Sequence, residues 1–215
     1  GKAGSMHLAS PNQGIMGASA VVGSTISHAV GAALVANIKK EKKIFVTNFG
    51  DGALEQGVFH ESLNFASLYK TPVLFLCEDN NLAVHSPKSE RQSFSLEKLV
   101  TSYGISFYDI QKGYDFLEVK EKSKVAIDEV RNSSSPVFLR INTARYKEHV
   151  GPGEDFAAGY RNESEIDKWK KLDPLINDKE LYKEYFEKIN NEIEVAVNFG
   201  IKSALPDDKD LLTDV

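Results

Sequence analysis

One cysteine, one tryptophan and two methionines are all that this 215-residue chain holds of those residue types. With Cys77 alone, an internal disulfide is excluded. Its place in the apolar run Pro72-Val73-Leu74-Phe75-Leu76-Cys77 predicts a buried, inert thiol and fits a reducing compartment, the cytoplasm or an organellar matrix. A basic excess is missing too: 26 Lys and Arg against 31 Asp and Glu leave a net charge of −5, without the positive footprint of a nucleic-acid binder. No apolar run reaches the roughly 20 residues of a membrane-spanning helix. Internal repeats and low-complexity segments are absent, and no Gly-x-Gly-x-x-Gly follows the first strands, which argues against a dinucleotide-binding fold. What the chain does have is a 41% hydrophobic composition, enough to bury a core.

The most informative stretch runs from Ile44 to Leu82. Ile44-Phe45-Val46-Thr47-Asn48-Phe49 reads as a parallel strand buried on both faces. Gly50-Asp51-Gly52-Ala53 then turns the chain. A helix starting there would aim its positive end, and the peptide N–H groups of Gly52 and Ala53, at a phosphate. Leu54, Val58, Phe65 and Leu68 recur at roughly helical spacing and predict the sheet-facing side of that helix. Thr71-Pro72 ends it, and Val73 to Cys77 forms a second strand leading to Glu78-Asp79-Asn80-Asn81. Asp51 and Asn80 thus fall at the carboxyl ends of neighbouring parallel strands, where open α/β sheets bind ligands. A carboxylate, an amide oxygen and a nearby main-chain carbonyl are hard donors suited to Mg²⁺ that takes its other ligands from a diphosphate.

The alternation continues downstream. Glu97 to Tyr103 predicts a short helix and Ile105 to Ile110 a strand. Asp115 caps a helix to Arg131 with Phe116, Val119, Ala126, Ile127 and Val130 on one face, and Val137 to Ile141 forms another strand. Beyond it, Arg145, Lys147 and His149 supply cationic or potentially cationic groups at a strand end, the Arg fork being suited to a diphosphate. A charged segment follows from Tyr160. A long helix from about Asp178 to Phe199 carries Leu181, Tyr185, Ile189, Ile193 and Val197 at four-residue spacing, with Gly200 at its end. The fold class predicted is α/β, a mainly parallel sheet with helices on both faces over residues 1–159, with a helical appendage over residues 160–215.

Gly-Asp-Gly followed after about thirty residues by Asn-Asn resembles the thiamine diphosphate signature, and Gly50-Asp51-Gly52-Ala53 through Asn80-Asn81 carries it here. Gly1-Lys2-Ala3-Gly4-Ser5-Met6-His7 likewise resembles the Gly-Lys-Gly-Gly-Ser-Met-His loop of the alpha subunits of 2-oxo acid dehydrogenase E1 components, including pyruvate, branched-chain and acetoin enzymes. Arg145 to His149 resembles their Tyr-Arg-Tyr-x-x-His loop. The likeness spans nearly the whole chain and implies that a segment precedes Gly1. It departs from the family at Ala3, at Ser27-His28, at Asp79 in place of an asparagine, at Lys147 where many members have histidine, and at Val150, where a regulatory serine stands in some members.

The resemblance implies Asp51, Asn80 and the Leu82 carbonyl as Mg²⁺ ligands. It places Gly50, Gly52, Ala53, Asn80, Arg145 and His149 around the diphosphate, the backbone of Ala20, Val21 and Val22 against the aminopyrimidine, and His7 and His149 near the reacting carbons. It implies thiamine diphosphate- and Mg²⁺-dependent decarboxylation of a 2-oxo acid, with transfer of the acyl fragment to an acceptor such as a lipoyl group. A non-oxidative decarboxylase or carboligase is the alternative. The implied partners are a beta subunit that brings the activating glutamate, in an α2β2 heterotetramer, and a lipoyl-bearing acyltransferase. Nucleic acid and membrane are not among them.

Overall fold

The computed structural model describes Gly4 and residues 6–213, so most of the glycine-rich opening loop lies outside the described residues. The chain forms two compact units, one of residues 19–169 and one of residues 1–18 together with residues 170–215.

In the first unit, α1 (Ser24–Ile38) leads to β1 (Phe45–Gly50), a 3-10 turn (Asp51–Glu55), α2 (Gly57–Tyr69) and β2 (Val73–Asp79). A ribbon of β3 (Leu82–Ala83) and β4 (Ser86–Pro87) follows, then α3 (Leu96–Ser102), β5 (Ser106–Ile110), α4 (Phe116–Ser133), β6 (Val137–Asn142) and α5 (Glu163–Lys170). The four main strands pair in the order β1-β2-β6-β5, every neighbour parallel, so all four carboxyl ends reach one edge. The predicted mainly parallel α/β architecture is therefore what the chain adopts.

Alternation along each strand sends neighbouring side chains to opposite faces. Phe75 joins Phe49 and Phe138 in a core roofed by Ile26 and Val30 of α1, Phe59 and Leu63 of α2 and Val100 of α3. Leu74, Leu139 and Ile141 join Ala126 and Val130 of α4 on the other face. Phe138 is the centre of the larger cluster. Its ring lies 6.4 Å from Phe75 and 5.5 Å from Phe107 in near-parallel stacks, and 6.1 Å edge-on from Phe59. The Asp115 carboxylate accepts from the Glu118 N–H at 3.1 Å, capping α4 as the sequence predicts.

In this unit four expectations are corrected. No α-helix starts at Gly52: the chain makes the 3-10 turn Asp51–Glu55, Gln56 is extended, and α2 begins only at Gly57. This offset rotates the helix, so Phe59, Ser62, Leu63 and Ala66 face the core, while Leu68 is 69% exposed and Phe65 is exposed. β1 is not buried on both faces. It is an edge strand, and α4 packs over β5, β6 and β2 instead, leaving Val46 51% exposed. On α4, Phe116 sits in the first turn, ahead of the stretch that reaches the sheet, and is 55% exposed.

In the second unit, α6 (Pro174–Asn177) is capped by Asp173 and α7 (Lys179–Lys202) by Asp178, which accepts from the Leu181 N–H at 2.9 Å. Gly200 does not end α7, which continues to Lys202, because a glycine costs a helix only about 1 kcal/mol. Tyr185, Ile189, Ile193 and Val197 form the predicted stripe, and all four are exposed. Among the described residues no helix is long and apolar enough to cross a membrane.

The register of α2 can be checked by denaturant unfolding. Leu63→Ala empties a fully buried site and should cost about 2–5 kcal/mol, whereas exposed Leu68→Ala should stay within about 0.5 kcal/mol. The reverse order would restore the register read from the sequence.

Candidate functional site

Because β1 and β2 run parallel in register, with Gly50 opposite Glu78, the next residues of each strand emerge side by side. Asp51, fully buried, opens the 3-10 turn, and its Oδ1 accepts from the Asn80 N–H at 3.2 Å. Asn80 in turn accepts from the Leu82 N–H at 3.0 Å through its side-chain oxygen, and Asn81 takes the left-handed conformation (φ 67°) that bends the chain back. The ribbon then folds over the turn after β1. A Cβ on Gly52 would meet the Ala83 Cβ at 2.9 Å, so only glycine fits there. Asp51, Asn80 and Leu82, all predicted site residues, are thereby gathered at adjacent strand ends.

The ribbon turns at Val84-His85, and Val84 has φ 54°. A β-branched residue in the left-handed region is a strained choice where hairpins ordinarily use glycine. The Val84 carbonyl is held by Arg145, which donates to it at 2.9 Å.

Arg91, outside the predicted set, is the main cation at Asp51. Its guanidinium donates to Asp51 Oδ2, and to Glu55 Oε1 at 2.6 Å, while Nε donates to the Ser86 carbonyl at 3.1 Å. Gln92 donates to the Asp51 carbonyl at 3.2 Å and to Glu55. Burial drives the Asp51 carboxyl above the usual carboxylate range, against the pull of Arg91, with the Asp79 charge pushing the same way. A carboxylate whose charged form the fold disfavours is better explained by function than by stability. No local spacing signals Arg91; it lies forty positions from Asp51 and arrives through the ribbon.

The Asp79 carboxylate is also buried, and it is compensated. Asp79 accepts from the Asn81 N–H at 3.1 Å, pairs with Lys88, and has Arg140 at 3.8 Å. Arg140 itself grips Asp109 with two bonds, at 2.9 and 2.6 Å, tying the end of β5 to β6. Cys77 is buried, and burial pushes its thiol up, as expected of an inert cysteine.

After β6, Arg145, whose fork the sequence suits to a diphosphate, is instead paired within the loop. Arg145 donates to the Lys147 carbonyl at 3.0 Å, to Val84, to Asp155 at 3.1 Å and to the Tyr160 hydroxyl at 2.7 Å. Arg161 donates to Asp155 at 2.7 Å and to the carbonyls of Arg145 and Lys147, and the Tyr160 hydroxyl bonds Asp155. The Arg145 fork thus braces the ribbon against this loop. His149 is exposed within the loop, and His7 is exposed in the other compact unit. Ala20, Val21 and Val22 are exposed ahead of α1, and Gly23 (φ 81°) seats that segment against Val58 and Gln56, the residues just after the 3-10 turn.

Among the described residues no group of three or more His, Cys, Asp and Glu forms a metal cluster. The donors gathered there are instead the Asp51 carboxylate, the Asn80 amide oxygen and main-chain carbonyls, the Asp79 carboxylate being paired with Lys88. That sparse, all-oxygen set fits Mg²⁺ sharing its shell with phosphate, and does not fit zinc.

A parallel α/β sheet with polar oxygens collected at its carboxyl edge has the layout of an open-sheet ligand-binding protein. Residues 1–202 match the dehydrogenase E1 component family, and the chain belongs to it. It is 33% identical, over its whole length and 67% of the relative's, to the alpha subunit of acetoin:2,6-dichlorophenolindophenol oxidoreductase from Bacillus subtilis. To the pyruvate dehydrogenase E1 component subunit alpha of Rickettsia conorii it is 31% identical, over its whole length and 68% of the relative's. The 2-oxoisovalerate dehydrogenase subunit alpha of Bacillus subtilis is 31% identical over 79% of this chain and 51% of the relative. By this membership the chain is an enzyme subunit of the 2-oxo acid dehydrogenase E1 alpha kind, as its motifs imply.

The Arg140–Asp109 pair carries a pH signature. Burial raises the Asp109 carboxyl, but hydrogen bonding and charge from Arg140 outweigh it and hold the group below its ordinary value. A depressed carboxylate stabilises the fold above its unfolded value, about 3.9, and that stability is lost as pH falls through the lower folded value. Urea midpoints should therefore drop below pH ~4 in the parent chain. Asp109→Asn should be weaker by about 1 kcal/mol or less at neutral pH, given solvent screening, with a shallower acid decline. Parallel pH curves for the two would remove Asp109 from this role.

Proposed function

We propose that this chain is the cofactor-holding alpha subunit of a thiamine diphosphate- and Mg²⁺-dependent E1 enzyme that decarboxylates a 2-oxo acid and passes the acyl fragment to an acceptor, a lipoyl group on a partner acyltransferase. The observation that carries this reading is the Asp51–Asn80 pair at adjacent strand ends, joined by the Asn80 N–H, with the ribbon bringing Ala83, the neighbour of Leu82, against Gly52.

Asp51, Asn80 and the Leu82 carbonyl would hold Mg²⁺. Gly50, Gly52 and Ala53 would offer main-chain N–H groups to the diphosphate, with His149 approaching it from the loop after β6, whose position Arg145 braces rather than reaching the diphosphate with its own fork. The exposed backbone of Ala20, Val21 and Val22 would lie along the aminopyrimidine. His149 would donate or accept protons at the substrate oxygen. The bound cofactor supplies the nucleophilic carbon and the electron sink; this chain supplies placement and charge neutralisation. The glutamate that activates the cofactor would come from a beta subunit in an α2β2 assembly, with Asp51 committed to the metal.

Calorimetric titration of the reconstituted alpha–beta assembly tests the metal assignment. Asp51→Ala should weaken Mg²⁺-dependent thiamine diphosphate binding by at least about 100-fold, roughly 2.7 kcal/mol, with its circular dichroism intact. Parental affinity in that variant would reject the assignment. The two-subunit reading is tested separately by proton exchange at the cofactor's C2, which the alpha chain alone should not accelerate and the beta subunit should restore. Fast exchange by the isolated chain would overturn it.

A further inference from the structure

Asp51 is both the carboxylate to which the metal role is assigned and one arm of a buried ion pair. Arg91 fills Asp51 Oδ2, the oxygen opposite the one that takes the Asn80 N–H. Its side chain is 12% exposed and that of Asp51 fully buried, so the pair lies where charge interactions are strong. Arg91 also has a second carboxylate: Glu55 accepts from its other terminal nitrogen at 2.6 Å, and the Glu55 side chain is 24% exposed. Nε is anchored on the Ser86 carbonyl at 3.1 Å, which lets the fork pivot without the stem leaving. Gln92 fastens Glu55 to the Asp51 main chain.

We propose that Arg91 is a displaceable counter-ion for the metal site. Without the metal it neutralises buried Asp51 while also holding Glu55; when a divalent cation arrives, Arg91 is left to Glu55 alone and Asp51 serves the metal. This rests on the reading of Asp51 as a metal ligand. The physical reason is that a guanidinium and Mg²⁺ on one carboxylate repel each other. Leaving Asp51 with neither would strand a buried charge, and leaving Arg91 with neither carboxylate would strand another. Glu55 removes the second cost. Arg91 is thus a positioning residue that sets metal affinity, and Glu55 sets the direction of the exchange.

The two residues make opposite predictions, which a purely structural brace would not. With the full-length chain and its beta subunit, Mg²⁺ is titrated calorimetrically at saturating thiamine diphosphate, and melting is followed after chelation. Arg91→Gln should bind Mg²⁺ about tenfold more tightly and melt earlier than the parent only when chelated. Glu55→Gln, which deprives Arg91 of its alternative partner, should bind Mg²⁺ several-fold more weakly while its chelated form melts near the parent. Weaker or unchanged binding in Arg91→Gln makes Arg91 a fixed brace and overturns the proposal. Unchanged or tighter binding in Glu55→Gln overturns the hand-over, and does so even if Arg91→Gln fails to fold. Asp51→Ala in the same titration separates the two levels. If it keeps parental Mg²⁺ affinity, the metal-site reading falls; if it loses binding while the Arg91 and Glu55 variants behave like the parent, only the counter-ion role falls.

Discussion

The Asp51 carboxylate is buried at the carboxyl end of β1, and its two oxygens are met by the Asn80 N–H and the Arg91 guanidinium. Each partner comes from a different stretch of chain. Asn80 is delivered by the parallel register of β1 and β2, and Arg91 by the ribbon that follows β2. A buried charge without partners is too costly to survive. The position of the ribbon, the glycine at 52 and the 3-10 turn are therefore coupled to this one group.

Further along the same edge the protein balances charge locally. Asp79, with Lys88 beside it and Arg140 near, does not add an uncompensated negative charge where a diphosphate is proposed to sit. Arg140 is shared with Asp109, so the ends of β2, β6 and β5 are linked by one run of alternating charges. Arg145, Asp155, Tyr160 and Arg161 do the same for the loop after β6. The Arg145–Val84 bond connects that loop to the ribbon and holds a strained valine. The edge is thus braced from both sides by side chains rather than by further strands.

How far the sequence reaches differs from element to element. Strands β2 and β6 and the capped helix α4 are legible because continuous apolar runs and an Asp cap act over a few residues. The face of α2 is not. Gly50-Asp51-Gly52 signals a turn, yet nothing local says that the turn closes as a 3-10 segment through Glu55, and that offset moves Leu68 out of the core and Phe59 into it. Nor does an apolar run distinguish an edge strand from a central one, which is why β1 reads as buried on both faces while Val46 lies open.

By itself the sequence determined the α/β class, the family, and the convergence of Asp51 and Asn80, because strand–turn spacing in a parallel sheet brings both to one edge whatever the rest of the chain does. Only the tertiary structure decided which charges meet. Arg91 on Asp51, Lys88 on Asp79 and Arg145 on Asp155 join residues 40, 9 and 10 positions apart. Such pairings follow from how the ribbon and the last loop fold back over the strand ends, and a long, flexible cationic side chain carries no local signal of the partner it will find.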